Sequence, residues 1–134
     1  MFWRFALLTW GRNPAVVPKR VLVVDDHPGV ALALTVLFRR DGRFDVADTA
    51  TTAREGLAKL AGHDAVLLDL HLPDMGGPEL VRAFRERDPA VPLILHSAVD
   101  DTPEVDAVRD AVDAVVLKSR IDDVLAALDR FTAR

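Results

Sequence analysis

The stretch Val21-Leu22-Val23-Val24-Asp25-Asp26-His27 decides the fold. Four apolar, mostly β-branched residues in an unbroken run suit a strand covered on both faces, because a strand with one wet face alternates apolar and polar residues. Two carboxylates end the run. The apolar residues that follow, Val30, Leu34, Leu37 and Phe38, recur at helical spacing. The unit is therefore a buried strand, a polar end and a helix.

Outward from that unit the pattern repeats. Ala65-Val66-Leu67-Leu68, Leu93-Ile94-Leu95 and Ala114-Val115-Val116-Leu117 are further short apolar runs that suit strands buried on both faces, and the weaker Phe44-Asp45-Val46-Ala47 fits an edge strand. Helical spacing links Ala53, Leu57 and Leu60, then Leu80, Val81 and Phe84, then Val105, Val108 and Val112, then Ile121, Val124, Leu125 and Leu128. Start signals agree with these helices. Thr52 with Glu55 forms a capping box, Thr102 can cap the fourth helix, and Pro78 and Pro103 suit first helical positions. Five strands alternating with five helices predict an α/β fold, a doubly wound parallel sheet with right-handed crossovers.

The chain has 134 residues, enough for one domain. It has no cysteine, which excludes disulfide scaffolds, thiolate zinc sites and thiol catalysis. A net charge of -4 gives no electrostatic reason to bind nucleic acid. Residues 1–18 differ from the rest. They hold Trp3 and Trp10, the two tryptophans, and Arg4 and Arg12 without an acid, so residues 19–134 carry 15 Lys+Arg against 21 Asp+Glu. The apolar stretch Phe5 to Trp10 is far short of the ~20 residues that span a bilayer, and no small-residue cleavage site follows it. The expectation is a leader over 1–18, flexible or packed on the domain surface, and one domain over 19–134 in the cytoplasm with no membrane span.

In a doubly wound sheet, ligands sit at the carboxyl ends of the strands, near the point where strand order reverses. The first strand runs into Asp25-Asp26, the third into Asp69, the fourth into His96-Ser97 and the fifth into Lys118-Ser119. Taken singly, Asp25-Asp26 reads equally well as a helix N-cap pair, and Asp69 as an ordinary strand-end residue. Together they bring three carboxylates, a hydroxyl and an ammonium to one rim. Three close carboxylates resist joint ionisation unless a cation sits among them, and an oxygen-only set suits Mg²⁺. Lys118 is one of only three lysines in a chain that otherwise uses arginine, and its compact charge suits an anion beside the ion. Metal plus anion reads as phosphate chemistry. The histidines His27, His63, His71 and His96 are scattered and make no zinc set. His63 reads as a surface loop residue and His96 as a packing residue.

With Val21 to Pro28, the stretch from Asp64 to Gly77 (DAVLLDLHLPDMGG), Leu95-His96-Ser97-Ala98 and Leu117-Lys118, the chain resembles the receiver domain of two-component response regulators. The likeness covers residues 20–131. The Asp-Asp-His-Pro opening is closest to the branch usually attached to LuxR-type helix-turn-helix domains. This resemblance implies a flavodoxin-like (βα)5 receiver in which Asp69 is the phosphoacceptor. It implies that Asp25, Asp26, Asp69 and the His71 carbonyl hold Mg²⁺, and that Ser97 and Lys118 bind phosphoryl oxygens. The implied phosphodonor is a sensor histidine kinase or a histidine phosphotransfer protein. Output is implied to run through the fourth helix, fifth strand and fifth helix to a downstream protein, with a homodimer left open. Acyl-phosphate formation and hydrolysis would be a switch rather than turnover catalysis.

Departures from the family bear on output. Val115 stands where most receivers have Tyr or Phe, whose rotation accompanies the Ser97 movement. Ser119 follows the lysine in place of proline, and Ala111 and Ala114 replace glycines. His71 and Val99 occupy the positions that in this family influence access of hydrolytic water. Three readings follow: a stand-alone receiver, a receiver fragment of a DNA-binding regulator, and a pseudo-receiver interaction module. The complete acidic set argues against the third. A flavodoxin-like cofactor binder would want a Gly/Ser/Thr-rich loop after the first strand. A haloacid-dehalogenase-type phosphatase would want an aspartate where His71 stands.

Overall fold

The computed structural model describes residues 17–133, and the expectations for the opening segment through residue 16, the leader and both its tryptophans, lie outside the described residues. The elements run β1 (Lys19–Val24), α1 (Pro28–Asp41), β2 (Phe44–Ala50), α2 (Ala53–Ala58), β3 (Ala65–Leu68), α3 (Gly77–Arg87), β4 (Leu93–Ser97), α4 (Pro103–Val108), a 3-10 turn (Arg109–Ala111), β5 (Ala114–Leu117) and α5 (Asp123–Thr132). All strands pair in parallel in the order β2-β1-β3-β4-β5, so strand order reverses between β1 and β3.

Strand alternation sorts the core into two layers. Leu22, Val24, Val66, Leu68, Leu93 and Leu95 pack on one face under α2, α3 and α4, where Leu80, Val81, Phe84, Val105 and Val108 meet them. Val21, Val23, Ala65, Leu67, Ile94 and Val116 pack on the other, against Leu34 and Phe38 of α1 and Val124 and Leu128 of α5. The helix starts follow the capping chemistry. Glu55 N–H donates to Thr52 Oγ1 at 3.1 Å, but the reciprocal Glu55 carboxylate accepts from Thr51 N–H, at 2.7 Å, one residue before the cap. Thr102 Oγ1 accepts from Val105 N–H at 3.3 Å. Pro78 follows Gly77, the first helical residue of α3, and Pro103 opens α4.

Three expectations change. The second strand reaches Ala50 rather than Ala47, because an irregularity between Val21 and Leu22 lets Asp48, Thr49 and Ala50 stay paired with β1. The fifth strand is not buried on both faces. Among the described residues it lies at the sheet edge and pairs with β4 alone, and only Val116 is buried while Ala114, Val115 and Leu117 are half-buried. The fourth helix does not continue to Val112. It ends at Val108, and a 3-10 turn, the tighter form common at helix ends, turns the chain so that Val112 still enters the core in extended conformation.

Candidate phosphoryl and cation site

The sheet brings the site together through its reversal point. Because Val24 pairs with Leu68, the next residues Asp25 and Asp69 emerge side by side, with Asp69 N–H donating to the Val24 carbonyl at 2.9 Å. Asp25 N–H donates to the Ala50 carbonyl at 2.9 Å, which fixes the same residue against β2. On the other flank, Lys118 N–H donates to the Ser97 carbonyl at 2.7 Å, so the ends of β4 and β5 are tied together. Each of these residues is placed by backbone pairing before its side chain makes any contact.

The Lys118 ammonium stands 2.8 Å from Asp25 Oδ2 and 3.2 Å from Asp69 Oδ2. Both carboxylates are buried, and Asp26 beside them is half-buried. The pair of aspartates is not a helix cap: His27 is the N-cap of α1, and Asp25 Oδ1 accepts from its N–H at 2.9 Å. Burial alone pushes the Asp25 carboxyl up. The Lys118 ammonium, the His27 amide and ring and the Lys118 charge outweigh it, and the group is held below the usual carboxylate range. For Lys118, burial disfavours the charge, but Asp25 and Asp69 overcome that and raise its proton affinity. The lysine therefore stays protonated among the acids.

Asp25 Oδ2 and Asp26 Oδ1 are shielded from solvent, and the basic groups nearest them are the Lys118 ammonium at 2.8 Å and the His27 ring at 3.2 Å. Buried oxygens of this kind are costly unless a donor or cation serves them. Donor atoms of Asp25, Asp26, His27 and Asp69 all lie within 4.8 Å of one another. Three carboxylates converging on one rim fit the hard-oxygen chemistry of a divalent cation such as Mg²⁺.

The other expected residues lie around this centre. Ser97 is buried at the end of β4, and its Oγ accepts from Val99 N–H at 3.3 Å, which leaves its own O–H proton uncommitted. His71 N–H donates to Asp69 Oδ1 at 3.1 Å, while its ring Nε2 pairs with Glu104 Oε2 of α4 at 2.8 Å. Val99 is exposed, and Val115 packs against the α3/α4 layer of the core. His96 is buried and packs as expected; burial first and the Lys118 charge second lower its proton affinity. His63 differs from the expectation. It is half-buried in the loop before β3, with both ring nitrogens shielded from solvent, and it belongs to no acidic cluster among the described residues.

The loop after Asp69 needs its two glycines. A Cβ on Gly76 would sit 3.0 Å from the Leu70 carbonyl, and Gly77 has φ 61, a left-handed conformation that side chains disfavour. So folded, the loop carries Asp74 onto the start of α2, where its two oxygens accept from Ala53 N–H at 2.8 Å and Arg54 N–H at 3.0 Å. Sequence reasoning missed this second cap, the His71–Glu104 pair and His27. Only His27 had a local signal: a residue directly after a strand-end aspartate pair cannot leave the rim.

Residues 21–129 match the family described as the response regulator receiver domain. The chain is 41% identical over 92 residues to the DNA-binding response regulator MtrA of Mycolicibacterium smegmatis, an alignment covering 65% of this chain and 38% of that protein. Other curated relatives are methylesterase/glutaminase proteins of which 29% and 28% are covered, so the chain spans less than two fifths of these relatives. Among solved structures, a LuxR-family two-component response regulator from Aurantimonas sp. SI85-9A1 superposes with a TM-score of 0.72 at 26% identity, covering 85% of this chain and 87% of that one. The CheX-CheY-BeF3-Mg²⁺ complex from Borrelia burgdorferi superposes with a TM-score of 0.79 at 26% identity, covering 92% of this chain and 97% of that one. Among the described residues, no helix is long and apolar enough to cross a membrane.

Proposed function

The chain belongs to the response regulator receiver family, and from that premise we propose that Asp69 accepts a phosphoryl group from a phosphohistidine of a sensor kinase or phosphotransfer protein. A carboxylate oxygen of Asp69 attacks phosphorus, the P–N bond to imidazole breaks with its electron pair returning to nitrogen, and an acyl phosphate forms. Lys118, already between Asp25 and Asp69, neutralises charge on the transferring oxygens. Ser97 offers its free O–H to one of them. Asp25, Asp26, Asp69 and the His71 carbonyl are the proposed holders of Mg²⁺. Bound there, the ion supplies charge neutralisation on the phosphoryl oxygens.

The observation that carries this reading is Lys118 bridging the buried carboxylates of Asp25 and Asp69 at the strand ends, with Asp26 beside them. Hydrolysis returns the Asp69 carboxylate and free phosphate. His71 and Val99 flank the path of the attacking water and set its rate. Output runs through α4, β5 and α5 to a downstream protein, with Val115 removing the usual aromatic rotor from that face. The reaction takes place in the cytoplasm, and residues 19–134 form the receiver domain.

Incubation with a small acyl-phosphate donor tests the proposal by intact mass. One phosphoryl group is expected in the presence of Mg²⁺ and none after chelation, and Asp69→Asn is expected to take none. Undiminished labelling of that variant would refute the assignment.

A further inference from the structure

Two large apolar side chains stand side by side in solvent on α1. Leu32 is 67% exposed and Val36 48% exposed, one helical turn apart, with the exposed Ala33 between them. Leu34 and Phe38 of the same helix are the residues buried in the α1/α5 layer, so this second apolar stripe is not part of the core. Val99 is also exposed but stands alone after β4, and single surface apolar residues are ordinary, whereas neighbouring ones call for a cover. The leader enters at the foot of this helix. Lys19 N–H donates to the Arg43 carbonyl at 2.9 Å, one residue past Gly42, the C-cap of α1. The Lys19 ammonium meets the Thr132 carbonyl at the end of α5, and Thr132 Oγ1 at 3.2 Å. The chain ahead of β1 therefore arrives between the ends of α1 and α5.

We propose that residues 1–16 fold back along α1 and cover Leu32, Ala33 and Val36 with their aromatic and aliphatic side chains. Phe2, Trp3, Phe5, Leu7, Leu8 and Trp10 crowd the first ten residues, and Arg4 and Arg12 are the only charged side chains of the segment. Each aromatic ring so covered takes about 150–250 Å² out of water. The reach is sufficient. At about 1.5 Å per residue, Val36 stands about 9 Å and Leu32 about 15 Å up the helix from Gly42. A segment of this length spans about 24 Å even as a helix and about 50 Å when extended. A second copy of the chain fits this face poorly, because two side chains and an alanine offer far less than the ~800 Å² per partner of a specific interface. A segment already joined to the domain meets the face at the effective concentration its tether sets, so a small patch suffices.

Trp3 and Trp10 are the two tryptophans of the chain, so indole fluorescence reports on the leader alone. Acrylamide quenching of the full chain tests the proposal. The indoles should be shielded relative to free N-acetyltryptophanamide. Leu32→Gln combined with Val36→Gln should abolish that shielding, and Val99→Gln should keep it. Both replaced side chains lie outside the core, and glutamine is a good helix former, so the fold is expected to hold. A second measurement uses the unmutated protein: nuclear Overhauser contacts should join the indole protons to the methyl groups of Leu32 and Val36. Indoles as accessible as the free compound, shielding that the double variant retains, or indole contacts to a different face would each overturn the proposal. Shielding lost on dilution would assign the cover to a second copy and overturn it as well.

Discussion

The ammonium of Lys118 stands 2.8 Å from Oδ2 of Asp25, a carboxylate whose side chain is only 2% exposed. Two strand ends that are not neighbours in the sheet are thereby joined by one charge, and Asp69 shares it at 3.2 Å.

Removing that charge leaves buried acids facing one another. Lys118→Met is predicted to lower the unfolding free energy without divalent ions by about 1–3 kcal/mol, below the figure for a fully buried pair because the lysine is partly exposed. Mg²⁺ binding to the folded state should restore more of the melting temperature in the variant than it adds to the parent protein. Melting curves with and without Mg²⁺ check this, and an equal Mg²⁺ effect in both would contradict it.

Gly56 sets two effects against each other. Replacing glycine inside a helix by alanine ordinarily gains about 1 kcal/mol. Here the new Cβ would lie 2.9 Å from Val24 Cγ2 and 3.1 Å from Phe84 Cζ, and both neighbours are core residues with little room to move. Overpacking of this kind costs about 1–3 kcal/mol. Gly56→Ala is therefore predicted to destabilise, and denaturant titration showing a gain would contradict the packing.

Asp74 caps α2 from another loop, and its carboxyl is held below the usual range first by the Ala53 amide and then by the Arg54 amide. A group whose folded-state pKa is depressed contributes stability above its unfolded value of about 3.9, and that contribution is lost as pH falls through the lower folded value. Asp74→Asn should be less stable than the parent protein at neutral pH, and the gap should close in acid. A gap that persists or widens below that window would rule out the charge-assisted cap.

Valine is stiff about its first side-chain torsion, and Val115 packs into the α3/α4 layer of the core. A stable phosphoryl mimic is predicted to move backbone amide resonances most around Ala98 and Val99, where Ser97 meets its loop. Shifts centred on Val115 and spreading along α5 would count against this.

The strands were legible because buried parallel strands are written as continuous apolar runs, and Val21–Val24, Ala65–Leu68 and Leu93–Leu95 need no tertiary information to be recognised. The acid-lysine centre was legible for a related reason. Asp25, Asp69 and Lys118 each end such a run, so placing the strands places them. What was hidden depends on register and on loop closure. The pairing of Asp48 to Ala50 with β1 requires the irregularity at Val21/Leu22. The Asp74 cap joins a loop to a helix that precedes it in the chain. Nothing in the composition of Ala114–Leu117 marks β5 as the sheet edge, because edge position is a property of strand order.

The central claim is that Asp69 is the residue that becomes phosphorylated, and reductive trapping tests it most directly. Borohydride converts an aspartyl phosphate to homoserine. After labelling with an acyl-phosphate donor and Mg²⁺, peptide mapping should find homoserine at position 69 and aspartate retained at 25 and 26. Homoserine at 25 or 26, or labelled protein with aspartate intact at 69, would contradict the account.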